Sequence, residues 1–106
     1  MIVNKLENFV RGWFIGNFEP TLFKTNAFEI GVQNYTKDFI GQKHYQIKSV
    51  EYNIVLQGKV LVNNKILKKN DIFIFNPLEV TDFKSLTKST ILSIKIPSIP
   101  NDKVNV

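Results

Sequence analysis

His44-Tyr45-Gln46-Ile47-Lys48-Ser49-Val50-Glu51 is followed, six residues after Glu51, by Gly58. Side chains two apart share a face of a β-strand. A strand over Phe39 to Lys48 therefore sets Gln42, His44 and Gln46 on one side. A strand over Val50 to Gln57 does the same for Glu51, Asn53 and Val55, with Lys48-Ser49 as the link. Laid side by side, the two strands bring His44, Gln46 and Glu51 onto one surface, concave if the sheet closes. Tyr45, Ile47, Tyr52, Ile54 and Leu56 fall on the other side. Both faces thus have reason to be buried, one inside the domain and one against a further sheet or a second subunit.

Working outward, strand signals dominate. Ala27 to Tyr35 alternates Phe28, Ile30 and Val32 with Glu29, Gly31 and Gln33, the period of a half-buried strand. Thr36-Lys37-Asp38 reads as a turn. Lys59 to Val62 and Lys65 to Leu67 flank Asn63-Asn64, and Asn readily takes the positive φ of a two-residue hairpin loop. Lys69-Asn70-Asp71 turns the chain into Ile72 to Phe75, which Asn76-Pro77 ends because proline donates no ladder hydrogen bond. Thr90 to Pro97 is the last clear strand, and an irregular tail is expected from about Pro97. Between Arg11 and Asn26, Gly16 and Pro20 break the apolar run of Trp13, Phe14, Phe18, Leu22 and Phe23 into short extended pieces. That aromatic cluster is expected to close one end of the fold, the other reading being a stacking platform for a sugar or base. The first eight or so residues fit a short strand or a helical turn equally well. Short strands at this spacing predict an all-β antiparallel barrel or jelly roll with under about one-tenth helix.

The 106 residues leave room for one domain, 1–106, and no repeat or linker divides them. An apolar fraction of 43% and a charged fraction of 22% are those of an ordinary globular chain, which excludes a disordered class. No apolar run approaches the ~18–20 residues of a membrane helix, so no membrane partner is expected. There is no cysteine and no export signal in the first residues, and a cytoplasmic location is expected. The net charge of +5 comes from scattered lysines, with Arg11 the sole arginine. Specific phosphate and base readout favours the arginine fork, so nucleic acid is not an expected partner.

The opening stretch resembles the first motif of the cupin family: Gly, five residues, His-x-His, three or four residues, Glu, six residues, Gly. Asp38 stands for the opening Gly and Gln46 for the second His, while His44, Glu51 and Gly58 match. Asn70 to Phe83 is similar to the second motif, with Asp71, the strand Ile72 to Phe75, Pro77 and Phe83 in place. Asn70 and Leu78 stand for its two glycines, and Thr81, or Asp82 in a register shifted by one, for its histidine. The resemblance covers about residues 38–83. It implies a small cupin-type double-stranded β-helix, a cavity lined by His44, Gln46 and Glu51, and a dimer made through the sheets.

The family's metal set is three His and one Glu. Here it would reduce to His44, Gln46, Glu51 and Thr81 or Asp82. An amide oxygen is a weak neutral ligand and two imidazoles are missing, so any divalent ion (Zn, Ni, Mn or Fe) is expected to bind weakly. Without metal, these side chains would form a hydrogen-bonded polar cluster. Some cupin-fold epimerases and isomerases use a barrel His as base and a Tyr as acid. His44 and Glu51 are then the catalytic candidates, with the carboxylate expected to raise the His44 pKa and Tyr35 the acid left on the cavity side. No nucleophile elbow and no Gly-rich phosphate loop is present. The resemblance implies binding of a small molecule, a carbohydrate or nucleotide-sugar ligand. The alternative is a metal- or His-dependent isomerase, epimerase or dioxygenase.

Overall fold

The computed structural model describes residues 1–106. Two three-residue 3-10 turns, Leu6–Asn8 and Val10–Gly12, precede ten strands. These are β1 (Trp13–Ile15), β2 (Glu29–Tyr35), β3 (His44–Gln46), β4 (Val50–Gln57) and β5 (Lys59–Val62), then β6 (Lys65–Lys68), β7 (Ile72–Phe75), β8 (Phe83–Ser85), β9 (Ser89–Ile96) and β10 (Lys103–Asn105). All the ladders are antiparallel. They form a five-stranded sheet in the order β1-β2-β9-β4-β7, a three-stranded sheet β6-β5-β8 and a pair β10-β3. The expected all-β class is the class observed, and no helix is long and apolar enough to cross a membrane.

Local chemistry explains the turns. Asn63 and Asn64 carry φ of 46° and 66° and close the β5–β6 hairpin, whose register runs Lys59↔Lys68 to Val62↔Lys65. Asp38, Asn70 and Leu78, the three residues standing for cupin glycines, all have positive φ: 66°, 75° and 72°. The backbone path that glycine usually serves is thus kept, with Leu78 the costliest occupant because its Cβ crowds the following carbonyl. Gly58 joins β4 to β5 at φ 85°, and a Cβ there would meet the Lys88 carbonyl oxygen.

Two expectations are corrected, and one strand was not foreseen. The strand expected over Phe39 to Lys48 shortens to His44–Gln46, and it pairs with β10 rather than with β4. Upstream, the chain holds to β8 by single bonds, Gly41 N–H to Phe83 O (2.9 Å) and Ser85 N–H to Phe39 O (2.9 Å). The tail after Pro97 is irregular only as far as Asp102. That buried carboxylate accepts the backbone N–H groups of Lys48 (3.0 and 3.1 Å) and Ser49 (2.9 Å), which docks the chain end and lets β10 form. Strand β8 was hidden by its polar composition. Its Ser85 is fully buried and donates its hydroxyl to Thr36 O (2.6 Å) and Thr87 O (2.9 Å).

The dry core is small: Val55, Val60, Val62, Phe75 and Ile91, with Tyr35, Leu67, Phe73 and Phe83 packed against it. It fills the space between β4, β7 and β9 on one side and β5 on the other. Farther along the same inner faces come Asn53, Ser93, Glu51 and Lys95, all polar. Residues of that kind do not make a core; they line a cavity. The outer face of the large sheet carries two cross-strand rows, Ile30–Ile94–Tyr52–Ile74 and Val32–Leu92–Ile54–Ile72. The apolar outer surface is therefore broader than expected, and it lacks Tyr45, which sits on the separate β3–β10 pair, and Ile47, just past the end of β3.

Candidate functional site

A cavity of about 740 Å³ opens between the layers, lined on its aromatic side by Tyr35, Phe39, Phe73 and Phe83. Its polar wall holds His44, Glu51, Asn53, Thr81, Ser93, Lys95 and Lys103, and the turn segment around Leu6, Phe9 and Arg11 roofs it. His44 and Thr81 are held to each other by backbone bonds between β3 and the chain before β8, Thr81 N–H to His44 O (2.7 Å) and the reverse (3.4 Å). Thr81 is buried and faces the cavity, whereas Asp82 is exposed, 3.9 Å from the Lys43 ammonium and outside it. Of the two residues, Thr81 is the one that borders the cavity.

Gln46 does not join this group. Its side chain lies on the wall of a neighbouring pocket of about 390 Å³, with Glu29, Asn17, Phe18 and Asp102. It is 5% exposed and its amide nitrogen has no hydrogen-bond partner. In the β3–β10 pair Gln46 sits opposite Lys103 and His44 opposite Asn105. Trp13 borders both spaces and stacks under the Lys95 ammonium at 4.8 Å, so it serves as a cavity wall and not merely as an end plug.

A hydrogen-bonded relay runs along the cavity floor. The Ser93 hydroxyl donates to Asn53 Oδ1 (2.6 Å), and Asn53 Nδ2 donates to Glu51 Oε2 (3.2 Å). On its other oxygen Glu51 stands 4.0 Å from Lys95 Nζ, both side chains being largely shielded from water. His44 Nδ1 lies 2.8 Å from Gln42 O and so carries the proton, leaving Nε2 as a free acceptor. The His44 pKa is lowered, not raised as expected. Burial is the main cause, and the charges of Lys103 and Lys95 add to it, together outweighing the Gln42 bond and Glu51. Burial also pushes the Tyr35 hydroxyl up to about 12, with the Glu51 charge adding to it.

Solved structures of the same architecture are numerous. A protein of Klebsiella pneumoniae with a double-stranded β-helix domain matches at 16% identity and TM-score 0.73, over 98% of this chain and 90% of that one. The pirin YhhW of Escherichia coli, solved with nickel(II), matches at 15% identity and TM-score 0.68. That match covers 83% of this chain but only 39% of the pirin. A nucleoside dehydratase from Streptomyces, solved with uridine, matches at 13% identity and TM-score 0.65, over 77% of this chain and 69% of that one. No protein-family model matches the sequence, and no curated protein does.

The chain has the cupin fold.

The metal set that the cupin resemblance implies can be tested against the side chains present. No cluster of three or more His, Cys, Asp or Glu side chains exists. Glu51 is already shared between Asn53 and Lys95, Gln46 faces another pocket, and Lys95, Lys103 and Arg11 bring three cations to the cavity wall. A divalent ion would meet one imidazole, one engaged carboxylate and like-charge repulsion. These residues do not fit a transition metal.

Sequence reasoning passed over Ser93, Lys95, Lys103 and Arg11. The first two were within reach, since alternation through Thr90 to Pro97 puts Ile91, Ser93 and Lys95 on one face. Lys103 was not, because its position depends on the tail becoming a strand.

Proposed function

We propose that this cupin-fold chain binds a small polar molecule, a carbohydrate or a nucleotide-linked sugar, in the cavity bordered by His44, Glu51 and Thr81. The observation that carries the reading is that the Ser93–Asn53–Glu51–Lys95 relay and the rings of Tyr35, Phe39, Phe73 and Phe83 line one cavity. Ring faces stack on the apolar side of a sugar or base, while fixed donors and acceptors select its hydroxyls or amides. The cavity volume lies within the range of pockets that enclose such molecules, and the uridine held by the Streptomyces dehydratase is a ligand of this kind. Metal is given no part in binding. Titration of the protein with a panel of monosaccharides and nucleosides, followed by NMR, is the test. Shifts confined to the His44, Tyr35 and Trp13 ring signals support the reading, and a panel that leaves those signals unmoved refutes it.

A second reading, His-dependent acid–base catalysis of an isomerase or epimerase kind, draws on one observation. His44 is neutral near pH 7 with Nε2 free, and the Tyr35 hydroxyl, which makes no hydrogen bond within the chain, borders the same cavity. His44 would take a proton and Tyr35 would return one, although a hydroxyl raised to about 12 is a reluctant donor. Solvent deuterium entering a bound sugar, lost in His44→Gln, is the distinguishing signal. The same proposal makes the protein a cytoplasmic homodimer joined through the outer face of the large sheet, where Ile72, Ile74, Tyr52 and Leu56 are 66%, 49%, 39% and 40% exposed.

A further inference from the structure

The cavity collects cationic side chains that the motif does not explain. Lys95 has a counter-charge, Glu51 at 4.0 Å, but neither Lys103 nor Arg11 has a carboxylate within 4.0 Å. The nearby acids are otherwise engaged. Asp102 spends both oxygens on backbone N–H groups, and Glu51 is held by Asn53 and Lys95. Glu29 accepts from the Ser98 hydroxyl at 2.9 Å, and Glu7 sits exposed on the roofing turn. Lys95, Lys103 and Arg11 all border both pockets, so they stand where the two spaces meet. On the second pocket's wall, the buried Gln46 amide nitrogen is a donor without an acceptor. A buried unpaired donor is costly, and one beside unpaired cations marks the place of a missing acceptor.

We infer that the ligand is a small organic anion whose carboxylate or phosphate sits between Lys103, Arg11 and Lys95, while its neutral body lies against the aromatic wall of the larger cavity. Held this way, the acid group is neutralised directly by ammonium and guanidinium groups, and no metal ion is needed to bring it in. The arrangement also accounts for a tension among these side chains. Lys103 is partly desolvated and lies near Arg11 and Lys95, and these lower its pKa in that order. An oxyanion there would relieve that repulsion.

The inference rests on the small-molecule reading of the same cavity, and matched pairs of probes separate the two. The protein is titrated calorimetrically in the presence of EDTA with glucuronate against glucose, and with uridine 5′-monophosphate against uridine. Cavity ring signals are followed by NMR in parallel. In at least one pair the anionic member should bind about tenfold or more tightly than its neutral twin, the scale of one charge-assisted contact. Lys103→Met and Arg11→Met, both at exposed positions that leave the core intact, should erase most of that difference. Lys69→Met, on a turn away from the cavity, should retain it. The carboxylate and phosphate arms report which acid group is preferred. Equal binding of both members of each pair overturns the anion site and leaves the cavity reading standing. Binding of the anions that Lys103→Met and Arg11→Met do not weaken also overturns the site. Absence of any cavity shift overturns both.

Discussion

Removing the Asp102 carboxylate should be among the most damaging single changes in the chain. The residue is 6% exposed and takes three hydrogen-bond approaches from two backbone donors, the N–H groups of Lys48 and Ser49. Its own carbonyl accepts the Ile47 N–H at 3.0 Å. In Asp102→Ala the Ser49 N–H, on a residue that is 1% exposed, loses its only acceptor in a place water reaches poorly. A hydrogen bond to a charged group is worth about 1.5–3 kcal/mol, and stranding a buried donor costs a similar amount. Two donors, one of them half-solvated, give a loss of about 3 kcal/mol. For a domain of this size that lowers Tm by roughly 12–24 °C. Asp102→Asn keeps one acceptor oxygen and should lose only about 1 kcal/mol. Urea unfolding at constant m-value measures both variants, and hydrogen exchange at Lys103 to Asn105 reports whether β10 has come away. If Asp102→Ala costs less than about 1 kcal/mol, or no more than Asp102→Asn, the carboxylate does not hold the tail and the reasoning fails.

Gly58→Ala forces a Cβ toward the Lys88 carbonyl at φ 85°, and should cost about 2 kcal/mol or more in urea unfolding. Leu78→Gly should do the reverse, gaining about 0.5–1 kcal/mol by relieving an exposed side chain at φ 72°. Because the folded pKa of His44 lies below 6.5, its contribution to stability is complete above that value. It is lost as pH falls through the folded pKa, where the unfolded chain already holds the proton. His44→Gln should flatten this part of the stability–pH curve, and Lys103→Met should raise the His44 pKa seen by NMR. Ile54→Asp, in the middle of the outer apolar face, should convert a dimer to monomers or aggregates by light scattering; a monomeric wild-type protein at micromolar concentration removes the proposed interface.

How far the sequence could be read depended on whether a feature was local. The Asn63-Asn64 hairpin, the alternation of Ala27 to Tyr35 and of Thr90 to Pro97, and the turn at Asp38 are all written within a few residues, and all appear in the fold. Strand pairing is not local. His44 and Glu51 do border one cavity, yet they arrive there from strands that do not pair: β3 is bound to β10, and β4 lies between β7 and β9. The two-residue period of Gln42, His44 and Gln46 could not announce that the short strand would leave Gln46 on a different pocket.

The electrostatics were hidden for the same reason, and they change what the site can do. From sequence, the one charge known to be near His44 was Glu51, and a lone carboxylate neighbour argues for a raised pKa and a cation-friendly site. The fold adds Lys95 across the sheet from Glu51 and delivers Lys103 on the strand that directly follows the Asp102 anchor. Burial, helped by the two lysines, then outweighs the Gln42 bond and one carboxylate, and His44 shifts toward the neutral form. On the reading proposed above, a cavity of the cupin fold with cations on its wall in place of a full set of imidazoles disfavours a metal ion and favours an acid. On that reading the anchoring carboxylate, far from the relay in sequence, helps set the sign of charge that the cavity selects. Asp102→Asn, which keeps much of the fold, sets two effects against each other: losing its charge on the second pocket's wall favours an anion, while loosening of β10, read as faster hydrogen exchange at Lys103 to Asn105, should weaken anion binding and leave the Ser93–Asn53–Glu51 relay in place.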